Sequence, residues 1–205
     1  ICLKPGKVTF EEAAASTFGA FTALYFLRDL GRLQPGQRVL VNGASGSIGT
    51  AAVQLAVQHF GAHVTGVCST TNVEFVRSLG AEAVIDYSRD DLSGNRAAYD
   101  VILDTVGKLS FSQVKPLLKG LGVFLPVVIT GREMIQMIRT PLFKGKVVRS
   151  GVSTETQKDL DLVARLMEEG KLRSVVEQSF PLARVVEAYR RVDSGHKRGS
   201  VVSRV

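Results

Sequence analysis

The chain has 205 residues, 45% of them apolar and 22% charged, and carries a formal net charge of +7, which suits one sizeable folded core or two small ones. Its basic residues are scattered, gathering only at Lys144/Lys146/Arg149, Arg190/Arg191 and Lys197/Arg198. There is no long Lys/Arg run and no interleaving of basic with aromatic residues. This speaks against a nucleic-acid surface and leaves a solvated basic face or an anionic small ligand.

Cys2 and Cys68 are far apart, and the three histidines are His59, His63 and His196, so neither a disulfide framework nor metal-ligand spacing is present. The apolar stretches break well before the roughly 20 residues that a membrane span needs. These features predict a reducing, cytoplasmic setting with no membrane partner. The chain opens on Ile1 with no signal-peptide character, which reads as a fragment or processed product.

In chain order, "TFEEAAASTFGAFTALYFLRDLGRL" reads as helix, opened by a capping box of Thr9 and Glu12 and ended by Gly31 and "QPGQ". Strands are predicted at "RVLVN" (38–42), "HVTGVC" (63–68), "AVID" (83–86), "YDVILDTVG" (99–107, with its loop) and "GVFLPVV" (122–128), with helices near 47–59 and 72–79 between the first three. Short Val/Ile/Leu-rich strands alternating with helices imply a parallel sheet covered on both faces, a Rossmann-type doubly wound α/β fold. Further on, "GREMIQMIRTPLF" reads as a helix cut short by Pro141 and "KGKVVRSG" as a strand. "TETQKDLDLVARLMEEGKL" is a periodic helix capped by Gly170, "PLARVVEAYRRVDSG" another helix, and "SVVSRV" a terminal strand.

The stretch "VLVNGASGSIGTAAVQLA" places glycines 43, 46 and 49 between the first strand and its helix. A dinucleotide needs a tight reversal, close backbone approach to the pyrophosphate and helix N–H groups facing the anion. In the GxGxxG frame the turn reads Ala44-Ser45-Gly46-Ser47-Ile48-Gly49, with Ala at the first glycine position, acceptable only if its torsions are ordinary. The acidic residue that holds the ribose of NAD should follow about 20 residues on. Nineteen residues past Gly49 the chain instead reads Cys68-Ser69-Thr70-Thr71-Asn72. Hydroxyl and amide groups can donate to a 2'-phosphate that a carboxylate would repel, so the pattern leans towards NADPH; "STTN" serves equally as a helix N-cap.

"VLVNGASGSIGTAAVQLA", "SLGAEAVIDY", "YDVILDTVG" and "FPLARVVEAYRRVDSGHKRGSVV" together resemble the cofactor-binding half of the medium-chain dehydrogenase/reductase superfamily, closest to its zinc-independent quinone oxidoreductase (zeta-crystallin-like) branch. The resemblance implies linking helices over 1–37, a dinucleotide-binding domain over 38–180, and a helix and strand over 181–205 that return to a catalytic GroES-like domain. It implies that Ser45, Gly46, Ser47, Ile48 and Gly49 face the pyrophosphate and Ser69, Thr70, Thr71 and Asn72 the 2'-phosphate. Tyr87 matches a tyrosine beside that phosphate in some relatives, or else is a half-buried aromatic at a strand end. Asp104 and Thr105, with Val127 and Val128, would lie along the cofactor towards the nicotinamide. Some relatives carry a lysine at Asn72 and an arginine at Gly195, for which Lys197 or Arg198 could compensate.

The implied activity is hydride transfer from NADPH to a quinone or an enone, with no metal and no assigned catalytic side chain. The alternatives are the cofactor domain of a zinc-dependent alcohol dehydrogenase and a non-catalytic nucleotide or RNA binder. A homodimer is expected, because an unpaired apolar edge at "GVFLPVVITG" would otherwise invite association.

Overall fold

The runs read as the first four strands are strands in a computed structural model: β1 Arg38–Asn42, β2 His63–Cys68, β3 Ala83–Asp86 and β4 Tyr99–Asp104. The structure describes residues 2–92, 97–195 and 197–205, so His196 lies outside the described residues. β5 Leu118–Pro126 starts earlier and stops sooner than its apolar core suggested, and β6 is only Val147–Val148. All neighbours pair in parallel in the order β3-β2-β1-β4-β5-β6, which puts the reversal of strand order between β1 and β4. In such sheets ligands bind outside the strand C-termini at that reversal.

The sheet is buried on both faces because its central strands alternate apolar residues to two cores. Val39, Val41, Val101, Leu103, Val123 and Leu125 face one core, and Leu40, Ile102 and Phe124 face the other. Full burial of each such side chain stabilises the fold by about 1.5–3 kcal/mol. The first core is roofed by α1 Phe10–Tyr25, α2 Ser47–Gln58 and α6 Gln157–Glu168. The second receives the short α4 Phe111–Val114, a helix the sequence pattern does not announce.

Between these, α3 is Val73–Ser78 and α5 is Gly131–Arg139, followed by a tight turn over Thr140–Leu142 that begins the chain's turn at Pro141. α1 opens with the expected Thr9–Glu12 capping box. Its last turn widens into a π-helix over Phe26–Leu30, so that Gly31 N donates to Phe26 O and both Phe26 and Leu27 reach the core. α6 ends in a Schellman arrangement: Gly170 has φ +71°, Gly170 N donates to Met167 O, and Lys171 N donates to Leu166 O.

Two features differ from expectation. β5 is only partly a sheet edge: β4 flanks it on one side, and on the other β6 pairs with Val123 and Phe124 alone; the outer strands of the sheet are β3 and the two-residue β6. A strand over Val176–Pro181, β7, pairs in parallel with β8 Ser200–Arg204 in a separate ribbon, with α7 Val185–Asp193 between them. Only Phe180 of β7 is buried, so its sequence shows none of the apolar continuity of the main sheet.

Candidate dinucleotide site

The turn after β1 owes its shape to glycines used in three ways. Gly43 takes φ +80°, and a Cβ there would lie 2.5 Å from Thr105 Oγ1. The left-handed residue is therefore Gly43, and Ala44 beside it is buried without a positive φ, which is the condition for Ala at that position. Gly49 brings α2 against the turn: its Cβ would fall 2.0 Å from Gly43 O. A Cβ at Gly46 would come no nearer than 3.5 Å to any protein atom beyond its chain neighbours, so the space at Gly46 is open. Gly46 is also the N-cap of α2 in extended conformation with no side-chain cap, which leaves helix N–H groups to meet an anion. A pyrophosphate fits this cradle.

The turn is braced from the far end of the chain. Gly199 N donates to Ser45 O at 2.8 Å, and the Ser47 and Ser200 hydroxyls lie 2.8 Å apart. Asp104, fully buried, organises the neighbouring loop: Oδ1 accepts from Asn42 Nδ2, Val106 N and Gly107 N, and Oδ2 from Leu109 N. Thr105 donates to Asn42 O at 2.8 Å.

At the tip of β2, Asn72 Nδ2 donates to Ser69 Oγ at 3.1 Å, and Ser69 and Thr71 share a 3.3 Å contact. Thr70 turns away and gives its hydroxyl to Asp86 Oδ2, at the end of β3. Asp86 is the register partner of Cys68, so an acid does stand near the β2 tip, supplied by the adjacent strand. That carboxylate is held below the ordinary range chiefly by the Thr70 hydroxyl, with Ser88 and Arg89 adding to it, and is 6% exposed. Burial, with Asp86 beside it, pushes the Cys68 thiol up to about 11, so Cys68 is inert strand-end packing.

Arg198 completes this corner. Its Nε donates to Asn72 Oδ1 at 3.0 Å, a second guanidinium nitrogen reaches Thr71 O at 3.3 Å, and the group stacks 4.8 Å from the centre of the Phe75 ring. Its backbone N–H donates to Glu177, itself paired with Arg191. Lys197 donates to Gly199 O, and burial lowers its pKa, opposed by Glu177.

These elements enclose a cleft of about 550 Å³ along the C-terminal edge of the sheet. Of the residues predicted from sequence, Ser45, Gly46, Ser69, Thr71, Asn72 and Tyr87 line it. Ser47, Ile48, Gly49, Thr70, Asp104, Thr105, Val127 and Val128 do not; Ile48 and Gly49 are buried, and Val128, half exposed, sits against Gly107. The lining also includes Lys108 and Lys197 but no carboxylate among the described residues. Lys108 and Leu109 escape sequence reasoning because they lie on an irregular loop. Their only forerunner is Asp104, which pins that loop. His59 and His63 are exposed, the latter paired with Glu82, and take no part.

Known proteins share this architecture. The zinc-binding dehydrogenase family matches residues 79–202. The human protein described as NAD(P)H oxidoreductase RTN4IP1, mitochondrial, is 33% identical over 98% of this chain and 57% of its own length. A trans-enoyl reductase, pgmF, of Aspergillus terreus is 31% identical over the whole chain and 62% of its own. The solved structure of a quinone oxidoreductase from Coxiella burnetii superposes with a TM-score of 0.89 at 28% identity, covering 100% of this chain and 63% of the other. The chain thus spans about three-fifths of the length of these relatives.

Proposed function

Since the chain belongs to the zinc-binding dehydrogenase family of the medium-chain dehydrogenase/reductase superfamily, on its NADPH:quinone oxidoreductase branch, we propose that it binds NADPH for hydride transfer to a quinone or an α,β-unsaturated carbonyl. It is a nucleotide-binding oxidoreductase domain; the choice of NADPH and of acceptor is the proposal.

The observation that carries it is the β2 corner, where Arg198 is fixed on Asn72 and Thr71 beside a cleft lined, among the described residues, by two lysines and no carboxylate. A 2'-phosphate there meets Ser69, Thr71, Asn72 and the Arg198 guanidinium, a charge-assisted set that NADH cannot use. Gly46 and the start of α2 take the pyrophosphate. Tyr87 and Leu92, both on the cleft wall, offer apolar surface to the adenine. When bound, the nicotinamide supplies the hydride. Asp104 holds the loop carrying Val106 and Lys108 along the cofactor's path.

The proposed division keeps linking helices over 1–37, a cofactor-binding body over 38–180 and a returning segment over 181–205. The proposed setting is cytoplasmic and the assembly a homodimer, through the sheet edge formed by β6 and the part of β5 that β6 leaves unpaired. Parallel titrations of this chain with NADPH and NADH test the cofactor: NADPH should bind at least tenfold more tightly, and equal or tighter NADH binding overturns the assignment.

A further inference from the structure

A carboxylate stands one strand away from the β2 corner. Asp86, the last residue of β3, is the register partner of Cys68, the last residue of β2. Neighbouring strands lie about 4.8 Å apart, and partners in register point their side chains to the same face. Cys68 and Ser69 on one side of Asp86 and Tyr87 on the other line the cleft, but Asp86 itself does not. An acid so placed is the group that an NAD-binding site turns on the ribose hydroxyls.

Both oxygens of this acid are engaged within the protein. Oδ1 accepts from Ser88 N at 3.0 Å, and Oδ2 accepts from the Thr70 hydroxyl at 2.5 Å, the length of a charge-assisted O–H···O⁻ bond. Asp86 N donates to Asp90 Oδ2, which fixes the backbone of the turn after β3. Arg89 Nε stands 3.7 Å from Oδ2 on a side chain that is 74% exposed, so solvent weakens that pair and Thr70 is the stronger hold. Thr70 opens the tight turn Thr70–Asn72, and of the four residues Ser69 to Asn72 it alone does not line the cleft. Three residues of the run face the cleft, and one faces the acid.

Removing the Thr70 hydroxyl would leave Oδ2 without its close donor while the carboxylate stays buried, a costly arrangement that turning towards other donors relieves. With NADH in the cleft those donors are the ribose hydroxyls; with NADPH the same turn brings the acid against the 2'-phosphate. We infer that Thr70 sets the cofactor preference at one remove, as a positioning residue that touches no cofactor atom but, by holding Asp86, keeps an NAD-type acid from the ribose. The inference rests on the reading of the β2 corner as the seat of the 2'-phosphate.

Calorimetric titration of the whole chain with NADPH and with NADH tests it. Thr70→Val keeps the shape of the side chain and removes the donor; it should lower NADPH affinity about fivefold and raise NADH affinity about threefold. Thr70→Ser keeps the hydroxyl and should preserve the parent's ratio of the two dissociation constants. Thr70→Val combined with Asp86→Asn removes the charge along with its donor, and should return the ratio to within about twofold of the parent's. A role in folding alone would weaken both cofactors together, so a Thr70→Val ratio unmoved from the parent's, or a shift that survives Asp86→Asn, overturns the inference. Asp86→Glu carries the carboxylate one methylene past Thr70 and should move the ratio in the same direction; if Thr70→Val does not fold, an unmoved ratio in Asp86→Glu overturns the inference by itself. A parent with no preference for NADPH overturns the reading of the corner and this inference with it. A parent that prefers NADPH, with an unmoved Thr70→Val ratio, overturns this inference alone.

Discussion

Arg198 Nε reaches Asn72 Oδ1 at 3.0 Å across 126 positions of chain, joining the segment before β8 to the tip of β2. A cation is thereby presented where an NAD-binding protein presents an acid. Arg198→Ala should weaken NADPH binding by about tenfold to a hundredfold, corresponding to the loss of one hydrogen bond to a charged group at about 1.5–3 kcal/mol. NADH affinity should change less than about twofold, because only NADPH carries the phosphate. Equal losses for the two cofactors in calorimetric titration would show that Arg198 merely braces the corner.

Ser69 sits at the β2 tip, lines the cleft and accepts the Asn72 amide. Ser69→Asp places a carboxylate at the cofactor ribose without disturbing the Thr70–Asp86 pair. It should lower NADPH affinity at least about tenfold through like-charge repulsion and improve NADH binding through the ribose hydroxyls. The ratio of the two dissociation constants is the measurement, and a ratio unmoved from the parent's would place the 2'-phosphate elsewhere.

Two glycines in one turn should fail in different ways. At Gly49 a Cβ meets backbone 2.0 Å away, which nothing flexible can relieve, so Gly49→Ala should cost about 1–3 kcal/mol or more in denaturant unfolding. At Gly46 the nearest atom is 3.5 Å away and the backbone is extended, so Gly46→Ala should keep stability within about 0.5 kcal/mol. Its methyl group instead occupies the approach to the pyrophosphate, and both cofactors should bind at least about tenfold more weakly.

How much of this was legible in the sequence differs by element. β1 to β3 match residue for residue, and β4 ends at Asp104 inside the run read as strand with loop, because a strand buried on both faces must be a short Val/Ile/Leu run. β7 is not legible, since a two-strand ribbon with one buried residue leaves no such run. The glycine turn reads correctly, although the left-handed position is Gly43, one residue before the motif's frame. The missing acid at β2 is real at that position, but spacing along one strand cannot reveal that Asp86 arrives from the next and is taken up by Thr70. Nor can it show that Arg198, placed by β7 and β8, comes to rest on Asn72. Contacts between distant segments make the β2 corner, and a motif records only the near ones.

Lys197 gives the site a pH dependence whose sign can be worked out. Burial lowers its pKa, so in the free protein the ammonium loses its proton at lower pH than an exposed lysine does. Between the lowered folded pKa and the ordinary unfolded value, the unfolded chain binds more protons, and the linkage favours the folded state as pH rises through that window. Phosphate binding runs the other way: a 2'-phosphate favours the charged ammonium, so NADPH binding takes up a proton once pH exceeds the free-state pKa. NADPH affinity should therefore fall as pH rises through the alkaline range while NADH affinity stays level, and Lys197→Gln should flatten the NADPH profile. Calorimetry in buffers of different ionisation enthalpy counts the proton directly; no uptake at any alkaline pH would remove Lys197 from the phosphate's surroundings.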